Sequence, residues 1–327
     1  MNLLQRFKQL PDLQQLPPAA KRRVADGIWA VARAVLMLGL SFIILYPLLY
    51  MISMSLRPVN EMADPSVIWV PKSLTLDNFK RAVVYLNFQS TLPYTAIVTL
   101  ASTVLQMASA ALAGYGMSRT KFKGQKVLFV LLLLTIIVPP QNIVVSLYRQ
   151  YRNFNFFGLG YLAAPFNGGL PFTVSLIDSP FSMILPAMFA SGIRSGLVIY
   201  IYMQFFKGLP KELEDAAYVD GCGSFKTFAY IVIPNMAAVL LTVFVFSIVW
   251  YWTDFYYASM FSPRFALSTV LSGIGAQIGF DTQTSNPFES MAVTQAGCLL
   301  FILPLLIVYL FLQRHFVQSI DKTGITG

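Results

Sequence analysis

Side chains able to do chemistry are few in this chain. Only 11% of the 327 residues are charged, and His315 is the single histidine. A lone histidine excludes a His-based metal site or a His-dependent catalytic triad within the chain. Cys222 falls in a polar turn and Cys298 in an apolar run, so no disulfide framework is expected. Nothing matches G-x-x-x-x-G-K-[ST], so the chain has no phosphate cradle of its own. No catalytic residue and no metal ligand emerge. What remains are charges in telling places: the acids Glu212, Glu214 and Asp215, and the isolated Arg194 and Asp254 among apolar residues.

The three acids belong to a polar island, Lys207 to Pro234, between two long apolar segments. Proline at a helix start with acids in the first turn is favoured, because proline's missing N–H is not needed there and the helix dipole attracts negative charge. A helix is therefore predicted from Pro210 through Ala216 and Ala217 to Val219. Gly221-Cys222-Gly223 ends it, since glycine permits the backbone angles of a helix stop. Ser224 is placed to cap a second short helix. The island reads as helix, tight turn, helix, lying flat at a membrane face.

Composition points to the membrane. Hydrophobic residues make up 56% of the chain, and its charged share is under half the roughly 25% of a soluble domain. About 20 apolar residues span the hydrocarbon as a helix. Six runs qualify, at about 34–56, 91–117, 127–148, 181–206, 236–253 and 290–313. Residues 1–33 form an N-terminal arm with no signal-peptide cleavage pattern. A tail covers 319–327. Net charge is +9, which suits nucleic acid in principle. Its distribution argues for membrane topology instead: fifteen Lys and Arg fall on the side of the N-terminus and seven on the other. By the positive-inside rule both termini and the 207–234 island are cytoplasmic. Asn153–Ile177 is also uncharged, but its four glycines and two prolines argue against a lipid-spanning helix. It reads as an ordered outer loop within 149–180, placed to touch an extracytoplasmic protein.

The island also carries a family pattern. Asp215-Ala216-Ala217, three residues, Gly221, nine residues, then Ile231-x-Ile233-Pro234 resembles the "EAA" loop of bacterial ABC-importer permeases. Asp215 stands where that family has Glu, and Ile233 where it usually has Leu. Three more stretches resemble the sugar permeases of that family: Trp69-Val70-Pro71 with Leu74–Phe79, Ala113–Gly124, and Trp252-Thr253-Asp254-Phe255. The ending Gln313–Gln318 is similar to the tail of the maltose-type second permease subunit.

This resemblance implies an all-α integral membrane protein with the type I importer permease fold, in the bacterial inner membrane. It implies half of the pathway of an ATP-driven, binding-protein-dependent sugar importer. Glu214, Asp215, Ala216, Ala217, Gly221 and Pro234 would form the coupling element that docks into an ATPase. The implied partners are a second, different permease, two ATPase copies that bind the ATP and Mg, an extracytoplasmic sugar-binding protein and membrane lipid, with no nucleic acid. The chain itself would need no cofactor.

Charges within spans are costly and often face a cavity. Arg194, in Ser191-Gly192-Ile193-Arg194-Ser195-Gly196, stands where glycines can interrupt a helix, as at transporter binding sites. Arg194, Trp252, Asp254 and Tyr256 are therefore pathway candidates. The plainer readings stay open: Arg194 reaching to headgroups or pairing with Asp254, and the aromatics anchoring at an interface. An ion-coupled secondary carrier is the competing class. It would favour similar halves and several buried acids, and neither is present. A membrane enzyme would need a polar catalytic cluster, which is absent.

Overall fold

Breaks in the apolar runs decide this architecture. The computed structural model describes residues 17–281, apart from 63, 65 and 68, and residues 287–323. It is helical throughout; among the described residues the only β feature is an isolated antiparallel bridge between Phe154 and Val174. Helix α1, Pro18–Ser55, starts with proline in its first turn. It reaches back through Lys21-Arg22-Arg23 into the stretch read as an arm, because nothing there breaks a helix. Helix α2, Asp77–Tyr85, is short and amphipathic. Helix α3, Phe88–Arg119, is the hub of the fold.

Run 127–148 is not one helix. Helix α4, Gln125–Ile137, stops where Val138 turns extended at φ −70°, ψ 120°. A residue before proline is pushed out of the helical region, and Pro139-Pro140 supply two consecutive missing N–H groups. A 3-10 turn, Pro140–Asn142, leads to α5, Val144–Arg152. Run 181–206 is broken too, into α6, Phe181–Met188, and α7, Ser195–Gly208. Ala190 and Arg194 both sit at φ +53° in this break.

Helix α8, Glu212–Val219, follows. The next segment is compound: α9, Ser224–Thr227, a π turn over Phe228–Val232, and α10, Ile233–Asn235. Pro234 offers no N–H to the ladder, and the wider π turn precedes it. Helix α11, Ala237–Thr253, leaves at 81° to that segment. Then come α12, Tyr256–Phe261, and α13, Leu267–Asp281. Helix α14, Pro287–Thr323, ends the described chain.

Among the described residues three helical stretches are long and apolar enough to cross a bilayer: Ala25–Ser55, Phe88–Arg119 and Pro287–Arg314; the bent pair ending in α11 makes a fourth. Helix α13 has no counterpart among the six runs. It packs Leu267, Ile274 and Ile278 against Val293 and Ala296 of α14 and Ala82 of α2. Helix α3 is flanked by α6, α7 and α11. Its contact with α7 is close because residue 114 is glycine. A Cβ there would lie 2.9 Å from the Tyr202 Cβ and 3.2 Å from the Ile199 carbonyl oxygen. Small residues at such crossings let membrane helices approach closely.

Candidate functional site

The coupling candidates gather at the Arg119 end of α3. Helix α8 begins just after Pro210, and its first turn holds Glu212, Glu214 and Asp215. Its end is a Schellman closure: the Cys222 N–H donates to the Ala217 carbonyl at 2.9 Å, and the Gly221 N–H to that of Tyr218 at 3.1 Å. Gly221 takes φ +82°, the left-handed region glycine enters freely. An added Cβ at Gly221 would meet nothing within 4 Å. The turn therefore needs glycine for its backbone, while the space beside it is open. Helix α9 begins at Ser224 with Gly223 in the cap position, so the side-chain cap expected of Ser224 is not made.

The helix divides its named residues between two faces. Glu214 and Ala217 are buried, whereas Asp215, Ala216, Gly221 and Pro234 are exposed. Glu214 turns into the protein. Its Oε1 lies 2.8 Å from Arg119 Nε, and both side chains are only 8% exposed. Tyr115 donates its hydroxyl to Glu214 Oε2 at 3.0 Å. Arg119 also donates through Nη2 to the Leu209 carbonyl at 2.6 Å. One buried acid thus ties the island to α3. Arg119 was missed from the sequence as an individual residue. Its only signal was its place at the end of an apolar run inside Ala113–Gly124. Outside this anchor three large side chains project from the island among exposed charges: Val219, Phe225 and Tyr230 are 87%, 75% and 74% exposed.

The pathway candidates do not form one cluster. Arg194, at the α6–α7 break, is exposed, with its guanidinium 4.9 Å from the centre of the Trp250 ring. Among the described residues it makes no ion pair with Asp254. Asp254 follows α11 and accepts the Ala258 N–H on Oδ2 at 2.8 Å, capping α12. It lines a small cavity with Tyr94, Thr95, Thr99, Ser262 and Ser268. Trp252 is buried and donates Nε1–H to the Phe301 carbonyl at 3.0 Å. Tyr256 is half-buried and packs edge-on against Tyr257.

A brace that sequence reading missed holds the α6–α7 break. Gln106 of α3 is fully buried and donates Nε2–H to the Ile193 carbonyl at 2.9 Å. Tyr251 of α11 donates its hydroxyl to Gln106 Oε1 and accepts the Ile193 N–H at 3.2 Å. Beyond the span ends, the stretch after α1 is clipped by charge. A hydrogen bond from Lys72 holds the Asp64 carboxyl well below the usual carboxylate range. Among the described residues no three of His, Cys, Asp and Glu gather as a metal site.

Residues 33–322 match the family model described as "Binding-protein-dependent transport system inner membrane component". The chain belongs to that family. Relatives of this permease include the arabinooligosaccharides transport system permease protein AraQ of Halalkalibacterium halodurans, 26% identical over 88% of this chain and 93% of its own. The probable ABC transporter permease protein YurM of Bacillus subtilis is 30% identical, with 87% and 84% covered. A solved bacterial ABC transporter chain, described as involved in import of the acidic polysaccharide alginate, shares the fold. The TM-score is 0.67 at 20% identity, over 89% of this chain and 98% of that one. The permease is thus a non-catalytic, multi-pass component of the inner membrane, and its ATPase is a separate subunit.

Proposed function

We propose that this permease forms half of the translocation pathway of an ATP-driven, binding-protein-dependent oligosaccharide importer. The observation that carries this reading is the island itself. A short rigid helix, closed by Gly221 and braced on α3 by the Glu214–Arg119 pair, holds Val219, Phe225 and Tyr230 out of the chain. Such projecting side chains suit a groove on an ATPase, with the anchor returning motion to α3. In this reading Asp215, Ala216, Gly221 and Pro234 meet the ATPase, while Glu214 and Ala217 secure the element from within.

The partner set follows from that role: a second, different permease, two ATPase copies that hold the ATP and Mg, and an extracytoplasmic binding protein. Both termini and the island lie in the cytoplasm, with broken helices completing six crossings. The oligosaccharide reading rests on the carbohydrates in the names of its relative and of its structural neighbour. Asp254 and Trp252, which line one small cavity, with Arg194 and Tyr256 near the helix breaks, are the pathway candidates.

The deciding experiment is uptake of labelled oligosaccharides into vesicles holding the complex purified from the native host. Uptake should require ATP and the binding protein, and an ionophore should leave it unchanged. Uptake driven by an ion gradient without ATP would establish the carrier class instead.

A further inference from the structure

The carboxylate that anchors α8 has two arms. Glu214 Oε1 lies against Arg119, and Oε2 accepts the Tyr115 hydroxyl at 3.0 Å. Tyr115 and Arg119 are one helical turn apart, so both arms belong to one face of α3. The Tyr115 ring packs on two others. Phe206, in the last turn of α7, meets it edge-on at 5.5 Å, and Phe228 lies 4.9 Å away at 49°. Phe206 and Phe228 are 6.5 Å apart, so the three rings close a triangle. Both phenylalanines are buried. Rings at these separations attract each other, and a close-packed interior passes displacement on rather than absorbing it. Tyr115 thus holds α8 by a hydrogen bond, and Phe206 and Phe228 by packing.

Phe228 opens the π turn that runs to Val232. A π turn differs from an α-helix by one step in hydrogen-bond register, and such turns recur at functional sites. This one leads through Pro234 to the 81° bend into α11. Helix α11 is unbroken, carries Tyr251 and Trp252, and is followed by Asp254. A change of register at the π turn would therefore shift these residues as a unit. One buried group at this joint is unsatisfied. The Thr227 hydroxyl, just before Phe228, is fully buried and has no hydrogen-bond partner among the described residues. Buried polar groups are nearly always paired, and an unmade bond fits a joint that has a second arrangement.

The covalent link from α8 to the π turn is soft by comparison. It runs through Gly221, at φ +82°, and Gly223, and a Cβ at either would meet nothing within 4 Å. Glycines in open space let a chain bend before it pushes. The stiffer connection is through side chains. On the reading that α8 docks on an ATPase, we propose that Tyr115 is the positioning residue that carries displacement of α8 to the π turn. Its hydroxyl follows the Glu214 carboxylate, and its ring moves Phe228 against Phe206. Arg119, tied also to the Leu209 carbonyl, sets the resting place of α8, and Tyr115 passes on its movement toward α11.

The test uses the whole complex, with its ATPase and binding protein, in lipid vesicles. It reads oligosaccharide imported per ATP hydrolysed, and amide hydrogen exchange over residues 228–236 with and without ATP. Tyr115→Phe removes the hydroxyl and keeps the ring; Phe228→Leu removes the ring and keeps an apolar side chain. Each should lower sugar imported per ATP by about threefold, the scale of one lost hydrogen bond or ring contact. The double variant should lower it no further than the larger single loss. The ATP-linked change in exchange of the unaltered chain should vanish in both variants. A merely structural role would reduce import and hydrolysis together and leave their ratio unchanged, which would overturn the proposal. So would an unaltered chain whose exchange over 228–236 ignores ATP, a result that needs no variant to fold. Absence of any ATP-dependent uptake by the unaltered complex would overturn the docking reading and the proposal with it. ATP-dependent uptake with an unchanged ratio in Tyr115→Phe overturns the proposal alone.

Discussion

Two regions of α3 are held by opposite chemistry. At its Arg119 end a charged pair, joined by Tyr115, anchors the island. Deeper in the helix, Gln106, Tyr251 and the Ile193 backbone form a neutral brace across the α6–α7 break. The difference follows from solvent. Near the membrane face an ion pair can keep water within reach, and charge-assisted bonds are the stronger kind. In hydrocarbon a charge is costly, and a broken helix needs only its freed backbone groups satisfied. The island is therefore fixed by electrostatics, and the break by neutral hydrogen bonds that can be exchanged at little cost.

The largest effect should come from the charged anchor. Glu214→Ala leaves Arg119 buried without its partner, a loss of about 3–5 kcal/mol for buried pairs. Membrane yield and ATPase pull-down should both fall sharply. Glu214→Gln keeps an acceptor for Tyr115 and should lose less. A double-mutant cycle with Arg119→Ala measures the coupling, and additive losses in that cycle would remove the anchor from the comparison.

Gly221→Leu separates docking from anchoring. The space beside Gly221 is empty in this chain, so the local cost is left-handed strain alone. A docking residue loses more: about 2 kcal/mol at a hot spot, roughly thirtyfold in association. Pull-down and oligosaccharide uptake should fall while membrane yield holds. Gly221→Asn should be milder, since Asn tolerates this backbone region. Equal pull-down for Leu and Gly at this position would make the turn a passive one.

How much of this the sequence disclosed depends on range. The Gly221 stop was readable because its cause is local: a glycine just past a short helix-forming run. The break at Pro139-Pro140 was visible as residues, yet run length outweighed it, and the ladder stopped at Ile137. Helix α13 escaped notice because fifteen residues with three glycines fall short of a span, and its partner Ala82 on α2 is distant in sequence. The inward turn of Glu214 was hidden for a related reason. Three acids in one helical turn look alike until a tertiary partner, Arg119, selects one of them.

The neutral brace predicts a smaller loss. Tyr251→Phe removes the hydroxyl that bridges Gln106 Oε1 and the Ile193 N–H. Hydrogen bonds between membrane helices contribute about 1 kcal/mol or less. Thermal stability of the purified complex should drop slightly and ATPase pull-down should not change. A pull-down loss as large as that of Glu214→Ala would abolish the distinction between brace and anchor.

Asp215→Asn gives the smallest effect and the sharpest contrast, because Asp215 is the sequence neighbour of Glu214 and carries the same charge. It is the acid that the family pattern singles out, yet its side chain is exposed while Glu214 is buried. What Asp215 contributes within this chain is negative charge at the start of α8, about 0.3–1 kcal/mol and screened by salt. Asn removes the charge and keeps the size. Membrane yield should be unchanged, and any fall in uptake should be under about fivefold, the rate equivalent of 1 kcal/mol. That fall should shrink further as salt is raised. If Asp215→Asn abolishes ATPase pull-down at every salt concentration, its carboxylate makes a specific bond to the ATPase, and the exposed face of α8 contributes more than a short helix and its apolar side chains.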